Sequence, residues 1–215
     1  LKAEFPDVAF YSGELDSFDF TSAQELIVSP GLSIRTGSIA RAQAAGVSVA
    51  GDIELFCRTV NVPVIAVTGS NGKSTVVTLL GKALEATGLK VKVAGNIGLP
   101  VLDAVLAKED VDVWVLELSS FQLDGVEGFE PTAAVVLNIT QDHLDWHGSM
   151  AAYAQAKSRI FGAHGLMVLN RDDARVMAML PAPAPALAGR GRSAVAVPRK
   201  VVHFGLQVPQ APGDF

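Results

Sequence analysis

The sequence is short of cysteine, of aromatic residues and of charge, and each shortage closes off a class of protein. One of its 215 residues is cysteine, Cys57. No internal disulfide can form, which fits a reducing compartment. A lone cysteine in an apolar stretch reads as a small buried hydrophobe, and it is given no role. Charged residues make up 18% and aromatics 7%, and the net charge is −5, so there is no basic footprint for nucleic acid. A phosphate-bearing ligand must therefore be held by local devices, namely backbone N–H groups and a few lysines. No run approaches the ~18 consecutive apolar residues of a membrane span, and no signal peptide is evident. What the chain does have is apolar residues, 49% of the total, in short Val/Leu/Ala runs that can build a packed core. Its length suits one large domain or one and a half ordinary ones.

These runs alternate between strand-like and helix-like patterns. Segments 25–30, 62–69, 91–95, 111–118, 132–139, 166–170 and 201–205 read as strands. Segments 38–45, 74–87, 100–108, 150–161 and 172–180 read as helices. In the 74–87 helix, Val76, Leu79, Leu80, Ala83, Leu84 and Thr87 share one face by spacing. The βα alternation predicts an α/β fold, an open parallel sheet with helices on both faces. Such sheets bind ligands beyond the carboxyl ends of their strands. Gly69, Asn96, Glu117, Ser119, Asn138 and His143 all fall at or just past predicted strand ends. The Pro/Ala/Gly/Arg segment 181–192 interrupts the rhythm and reads as a surface loop.

The sharpest motif is VTGSNGKST, residues 67–75, set between a strand and a helix. A helix N-terminus offers unpaired N–H groups and the positive end of a dipole to phosphate. Gly69 and Gly72 permit a tight bend, and Ser70, Asn71 and Thr75 complete the loop. Lys73 can reach the β- and γ-phosphates, and Ser74 can place a hydroxyl on Mg²⁺. The usual spacing is G-x-x-x-x-G-K-[ST]; here Val67 occupies the place of the first glycine, which is displaced to Gly69. The bland alternative is a turn that merely joins strand to helix.

Elsewhere two readings stand side by side. By alternation Glu117 shares a strand face with Val113 and Val115, opposite Trp114, Leu116 and Leu118. It is either an oxygen ligand for Mg²⁺ or an ordinary charge at a strand end. The loop QDHLDWHG, 141–148, holds His143 and could bind a metal or simply be solvated; the spacing does not support zinc. Asn96 lies in a turn signal that a ligand could meet. Lys157, among small alanines on a helix, reads as an ordinary surface lysine.

Taken together, the motifs resemble the Mur ligase family, from about Ile27 to about Phe204. GSNGKST is similar to its nucleotide loop. GDIELFCR (51–58), GNIGLP (95–100), LELSSFQL (116–123), LNITQDHLD (137–145) and YAQAKSRIF (153–161) resemble the branch that adds D-glutamate to UDP-N-acetylmuramoyl-L-alanine. The first and third of these are the most specific. The resemblance implies an ATP- and Mg²⁺-dependent amide ligase of the bacterial cytoplasm, monomeric, binding neither nucleic acid nor membrane. It implies Lys73 on the ATP phosphates, Ser74 and Glu117 on Mg²⁺, His143 on a second Mg²⁺, and a carbamylated Lys157 as a carboxylate-like metal ligand. It also implies Asn96 and Ser119 at the substrate's reacting carboxylate, and Ser29, Pro30 and Gly31 in the uridine-diphosphate site.

The expected organisation is a Rossmann-like N-terminal remnant, 1–58, followed by a P-loop mononucleotide-binding parallel-sheet domain, 59–215. The family's C-terminal domain is expected to lie beyond residue 215, so this stretch alone is expected to bind nucleotide without turning over. The rivals are another ligase of the superfamily, a P-loop kinase or GTPase, and a non-catalytic nucleotide-binding module. LELSSFQL argues against the first; the altered glycine spacing and the lack of an N-K-x-D word argue against the second.

Overall fold

The computed structural model describes residues 2–35, 37–181, 199–209 and 212–215. The segment 182–192 of the expected surface loop lies outside the described residues. The chain divides into two compact units, Leu1–Gly51 and Asp52–Phe215.

The first unit is a small β-α-β arrangement. Strand β1 (Glu25–Ile27) pairs in parallel with β2 (Ser48–Ala50), and helix α1 (Gly37–Ala44) connects them. Ile39 and Ala42 of α1 are buried, as are Val28, Val47 and Ala50. The Asp16 carboxylate accepts from the Ser38 N–H at 2.9 Å, satisfying a donor at the start of α1. Gly46, at φ +92°, turns the chain out of the helix.

The second unit opens with helix α2 (Asp52–Thr59). The expected boundary after residue 58 would have cut this helix. Ile53 and Phe56 are buried in the core of the second unit, and the Phe56 ring meets Trp114 edge-on at 5.1 Å. The rest follows the expected alternation. Strand β3 is Val64–Thr68, helix α3 Lys73–Glu85, strand β4 Val91–Gly95, helix α4 Val101–Leu106 and strand β5 Val113–Glu117. A short helix α5 (Ser120–Leu123) precedes strand β6 (Ala133–Val136). Another, α6 (Leu144–His147), sits inside the Asp/His-rich loop ahead of α7 (Met150–Ser158). Strand β7 (Leu166–Asn170), helix α8 (Ala174–Met177) and strand β8 (Val201–Phe204) complete it.

All six strands from β3 to β8 are parallel, in the order β4-β5-β3-β6-β7-β8. The chain runs outward to β4, returns through β5, then crosses β3 to build the other half. The carboxyl end of β3 is therefore the switch point, where an open α/β sheet forms a crevice. Register brings the strand ends level: Glu117 lies opposite Gly95 on one side and Val67 on the other.

Both faces of the sheet are covered, as parallel strands require. Trp114, Leu116 and Leu118 point into the larger core with residues of α2, α4 and α7. Val67 and Val115 point into the smaller one, under α3. The buried line of α3 is Val77 and Gly81, flanked by the partly buried Val76, Leu80 and Leu84. Leu79, expected on that face, is 63% exposed. The expected stripe is thus rotated by about one position. The cause is Gly81, where a Cβ would stand 2.8 Å from Val93 Cγ2, so the helix lies closest to the sheet at its glycine.

Gly95 ends β4 at φ +110°, and a Cβ there would stand 2.3 Å from the Glu117 carbonyl oxygen. Gly95→Ala is expected to cost about 2 kcal/mol or more of stability. By thermal unfolding this corresponds to a fall in Tm on the order of 5 °C. An unchanged Tm would contradict this account of the β4–β5 approach.

Candidate functional site

The loop 69–72 turns the chain from β3 into α3. Gly72 takes up φ +83° as the residue before the helix, where a side chain would be strained. A Cβ at Gly69 would come within 3.0 Å of Leu137 Cβ, so the loop lies close against the end of β6. Among the described residues no side chain caps α3, so the N–H groups of its first turn remain open to a ligand. Ser74 and Thr75 are exposed at that end.

The loop is tied down by the segment after β6. The Ser70 N–H donates to the Asn138 carbonyl at 3.0 Å. The Asn138 side chain grips the next residue from both sides: its Oδ1 accepts from the Asn71 N–H at 2.8 Å and its Nδ2 donates to the Asn71 carbonyl at 3.0 Å. The Ser70 hydroxyl donates to the Thr140 carbonyl and accepts from the Thr140 N–H, both at 3.0 Å, and sits 3.0 Å from the Tyr153 hydroxyl. Ser70 and Asn71 therefore spend their N–H groups on protein, which leaves anion binding to the helix start.

Two lysines converge on this loop. Lys73 Nζ donates to the carbonyls of Gly69 (3.0 Å) and Ser70 (3.1 Å). Lys157 Nζ donates to the same Gly69 carbonyl at 3.0 Å and to Thr68 Oγ1 at 3.2 Å. Lys157 also lies 4.9 Å from the centroid of the Tyr153 ring. It is not the surface lysine that composition suggests; it is 2% exposed, because α7 closes over the end of β3. Burial, reinforced by the charge of Lys73, lowers its pKa from 10.5 to about 7, against the opposing pull of Asp142 and Glu117.

Glu117 is 2% exposed at the end of β5. Its Oε1 accepts from Asn96 Nδ2 at 3.0 Å, and the Asn96 N–H donates to the Glu117 carbonyl at 2.8 Å. Its Oε2 is buried and has no hydrogen-bond partner among the described residues. A buried carboxylate oxygen left so calls for a cation or a donor. Ser119 is the N-cap of α5, in a reciprocal capping box with Gln122.

His143 borders these groups through Tyr153, whose ring centroid lies 6.5 Å from its own. At φ +49° it starts α6, its ring packs on Phe121 at 4.6 Å, and its Nε2 lies 3.3 Å from Asp142 Oδ2. No cluster of three His, Cys, Asp or Glu residues suited to a metal occurs among the described residues. Ser29, Pro30 and Gly31 follow β1 in the first unit, where the Ser29 carbonyl accepts from Leu32 N–H at 2.9 Å. Tyr153 and the clamping role of Asn138 escape the sequence reading, although Tyr153 stands four residues before Lys157 on one helical face, a spacing that was available. Among the described residues no helix is long and apolar enough to cross a membrane.

Fold and site define a class: an open parallel α/β protein with a glycine-rich loop, two lysines and a buried carboxylate at the carboxyl edge of its sheet. Residues 67–201 match the Mur ligase middle domain, and the chain belongs to the Mur ligase family. It is 46% identical over 232 residues to the UDP-N-acetylmuramoylalanine--D-glutamate ligase of Albidiferax ferrireducens, covering 100% of this chain and 45% of that protein. It is 50% identical over 187 residues to the protein of the same name from Chromobacterium violaceum, covering 84% and 41%. The chain spans less than half the length of these relatives. Among solved structures it shares the fold of a UDP-N-acetylmuramoyl-L-alanyl-D-glutamate--2,6-diaminopimelate ligase. That match has a TM-score of 0.56 at 23% identity and covers 87% of this chain and 47% of that one.

The lowered pKa of Lys157 sets the sign of a stability change. The unfolded lysine holds its proton up to about 10.5, whereas the folded one releases it near 7. Burying the charge therefore costs most at and below pH 7, and the cost fades as pH rises toward 10.5. Lys157→Met is expected to raise Tm at pH 7 in bicarbonate-free buffer, with the gain shrinking steadily toward pH 10. A gain independent of pH would contradict the assignment.

Proposed function

We propose that this chain is the nucleotide-binding middle of an ATP-dependent ligase. The full enzyme joins D-glutamate to UDP-N-acetylmuramoyl-L-alanine through an acyl phosphate, in cytoplasmic peptidoglycan precursor synthesis. The supporting observation is the meeting of Lys73, Lys157 and the half-satisfied Glu117 at the switch point of the sheet. The choice of D-glutamate rests on the relatives that carry that name.

In this reading loop 69–75 acts as a P-loop. The open N–H groups at the start of α3 take the phosphates. Lys73 has three donors and spends two on loop carbonyls, so one remains for a phosphate oxygen. The β-α-β unit, a Rossmann-like remnant, would hold the uridine diphosphate through Ser29, Pro30 and Gly31. Asn96, fixed by Glu117, and Ser119 would hold the substrate near its reacting carboxylate.

The donor set fits Mg²⁺, which takes oxygen ligands and commonly keeps waters and substrate phosphates in place of an all-protein cage. Glu117 Oε2 and the Ser74 hydroxyl would hold it, with a carbamate on Lys157 as a further ligand, and His143 would help hold a second Mg²⁺. When bound, Mg²⁺ offsets the repulsion between triphosphate and carboxylate. A pKa near 7 leaves much of Lys157 as the free amine at neutral pH. That amine can add to CO₂ and release a proton, which turns a buried cation into a carboxylate-like ligand. The phosphorylated carboxyl group would then be attacked by the amine of D-glutamate, with phosphate leaving. Positioning and charge stabilisation supply the rate.

In the full-length enzyme Lys73→Ala is expected to reduce ligation at least about 100-fold, with an unchanged circular dichroism spectrum. Activity within a few-fold of wild type would refute the role of the loop. Removing bicarbonate is expected to lower activity; indifference to it would count against the carbamate. D-Glutamate is expected to be accepted, and L-alanine, L-lysine and meso-diaminopimelate rejected. Comparable turnover with any of those three would refute the substrate assignment and spare the ligase class.

A further inference from the structure

The word GDIELF at 51–56 is specific in sequence, yet none of its residues belongs to the site described above. We infer that Asp52 is a positioning residue which, through Gln122, fixes Ser119 as a hydrogen-bond acceptor for a substrate N–H. This rests on the reading of Ser119 as a substrate contact.

Asp52 begins α2, and its Oδ2 accepts from Gln122 Nε2 at 2.8 Å. On the other side of the same amide, Gln122 Oε1 accepts from the Ser119 backbone N–H at 3.1 Å. A backbone N–H can only donate, and an ionised carboxylate can only accept. The two partners therefore demand the same amide orientation, oxygen toward Ser119 and nitrogen toward Asp52. Either alone would leave the choice weaker, because an amide can turn over at modest cost.

The fixed amide determines the proton of Ser119. Its Oγ lies 3.2 Å from Gln122 Oε1, an acceptor, so the hydroxyl hydrogen points there. The same Oγ accepts from the Gln122 N–H at 3.2 Å. A hydroxyl has one hydrogen and two lone pairs. The hydrogen and one lone pair are thus committed, and a single lone pair remains on a half-buried oxygen at the end of β5. A carboxylate oxygen meeting that lone pair would be repelled, whereas an amide N–H would be bound. The group for Ser119 is thus the amide N–H next to the reacting carboxylate. The carboxylate itself is left to cationic partners. The two sequence words that most distinguish this chain, GDIELF and LELSSFQL, are the two ends of this chain of hydrogen bonds.

The test is calorimetric binding of UDP-N-acetylmuramoyl-L-alanine to the full-length enzyme, with ATP binding measured in parallel. Asp52→Asn keeps the shape but lets the amide pair with its neighbour in either orientation. It is expected to weaken the UDP-linked substrate about fivefold, the worth of one ordinary hydrogen bond, and to leave the ATP Kd and Tm unchanged. Ser119→Ala is expected to weaken the same substrate, and adding Asp52→Asn to it should cause no further loss, because the two act through one contact. Full additivity, equal weakening of ATP, or a lower Tm with unchanged substrate binding would each show a merely structural cap and overturn the inference. A wild type that binds ATP but not the UDP-linked substrate would overturn the functional reading and this inference with it. A wild type and an Asp52→Asn variant that bind the substrate equally would overturn the inference alone.

Discussion

The carbonyl oxygen of Gly69 accepts from two lysine ammonium groups at once, Lys73 and Lys157, each at 3.0 Å. Much of the site follows from that crowding. Two like charges on one acceptor, one of them out of water, cannot both be held cheaply. The structure relieves the conflict by weakening the hold of Lys157 on its proton. It places an aromatic face beside that lysine and a buried carboxylate near it. The strand register that levels Glu117 with Gly95 and Val67 puts the carboxylate there. Both lysines in turn brace the bend that exposes the start of α3.

The parts legible in sequence are those whose determinants are contiguous. Strand β3, its loop and α3 follow one another, and glycine, lysine and serine types announce the turn. Glu117 was also legible, because strict alternation along a strand buried on both faces fixes which core each residue enters, and Trp114, Leu116 and Leu118 do face the larger one. The strand β8 expected beyond the Pro/Ala segment is likewise present.

What stayed hidden depends on pieces distant in sequence. Nothing in AAYAQAK marks Lys157 as buried; its surroundings are made by β3, 89 residues away in the case of Thr68. The face of α3 is hidden because a glycine carries no apolar signal, and yet Gly81 is where the helix touches the sheet. Helix α2 and the four-residue α5 and α6 are not among the helices read from the sequence, although α1 and α8, of the same lengths, are. One signal was present and unused: Ser119 and Gln122 have the spacing of a capping box, which marks a helix start inside LELSSFQL.

The grip of Asn138 and Thr140 on Ser70 and Asn71 bears on how this loop can change. All but the Asn71–Thr140 side-chain bond join a particular backbone group to a particular partner, so the match depends on chain length as much as on residue type. An extra residue between Gly69 and Gly72 would throw both loop residues out of step with the segment after β6. Substitution of side chains at the rim is a smaller disturbance than any insertion. The displaced first glycine thus belongs to a shorter loop whose shape is borrowed from a neighbouring strand end. Its length is locked by an outside template, in contrast to surface loops that drift freely in length.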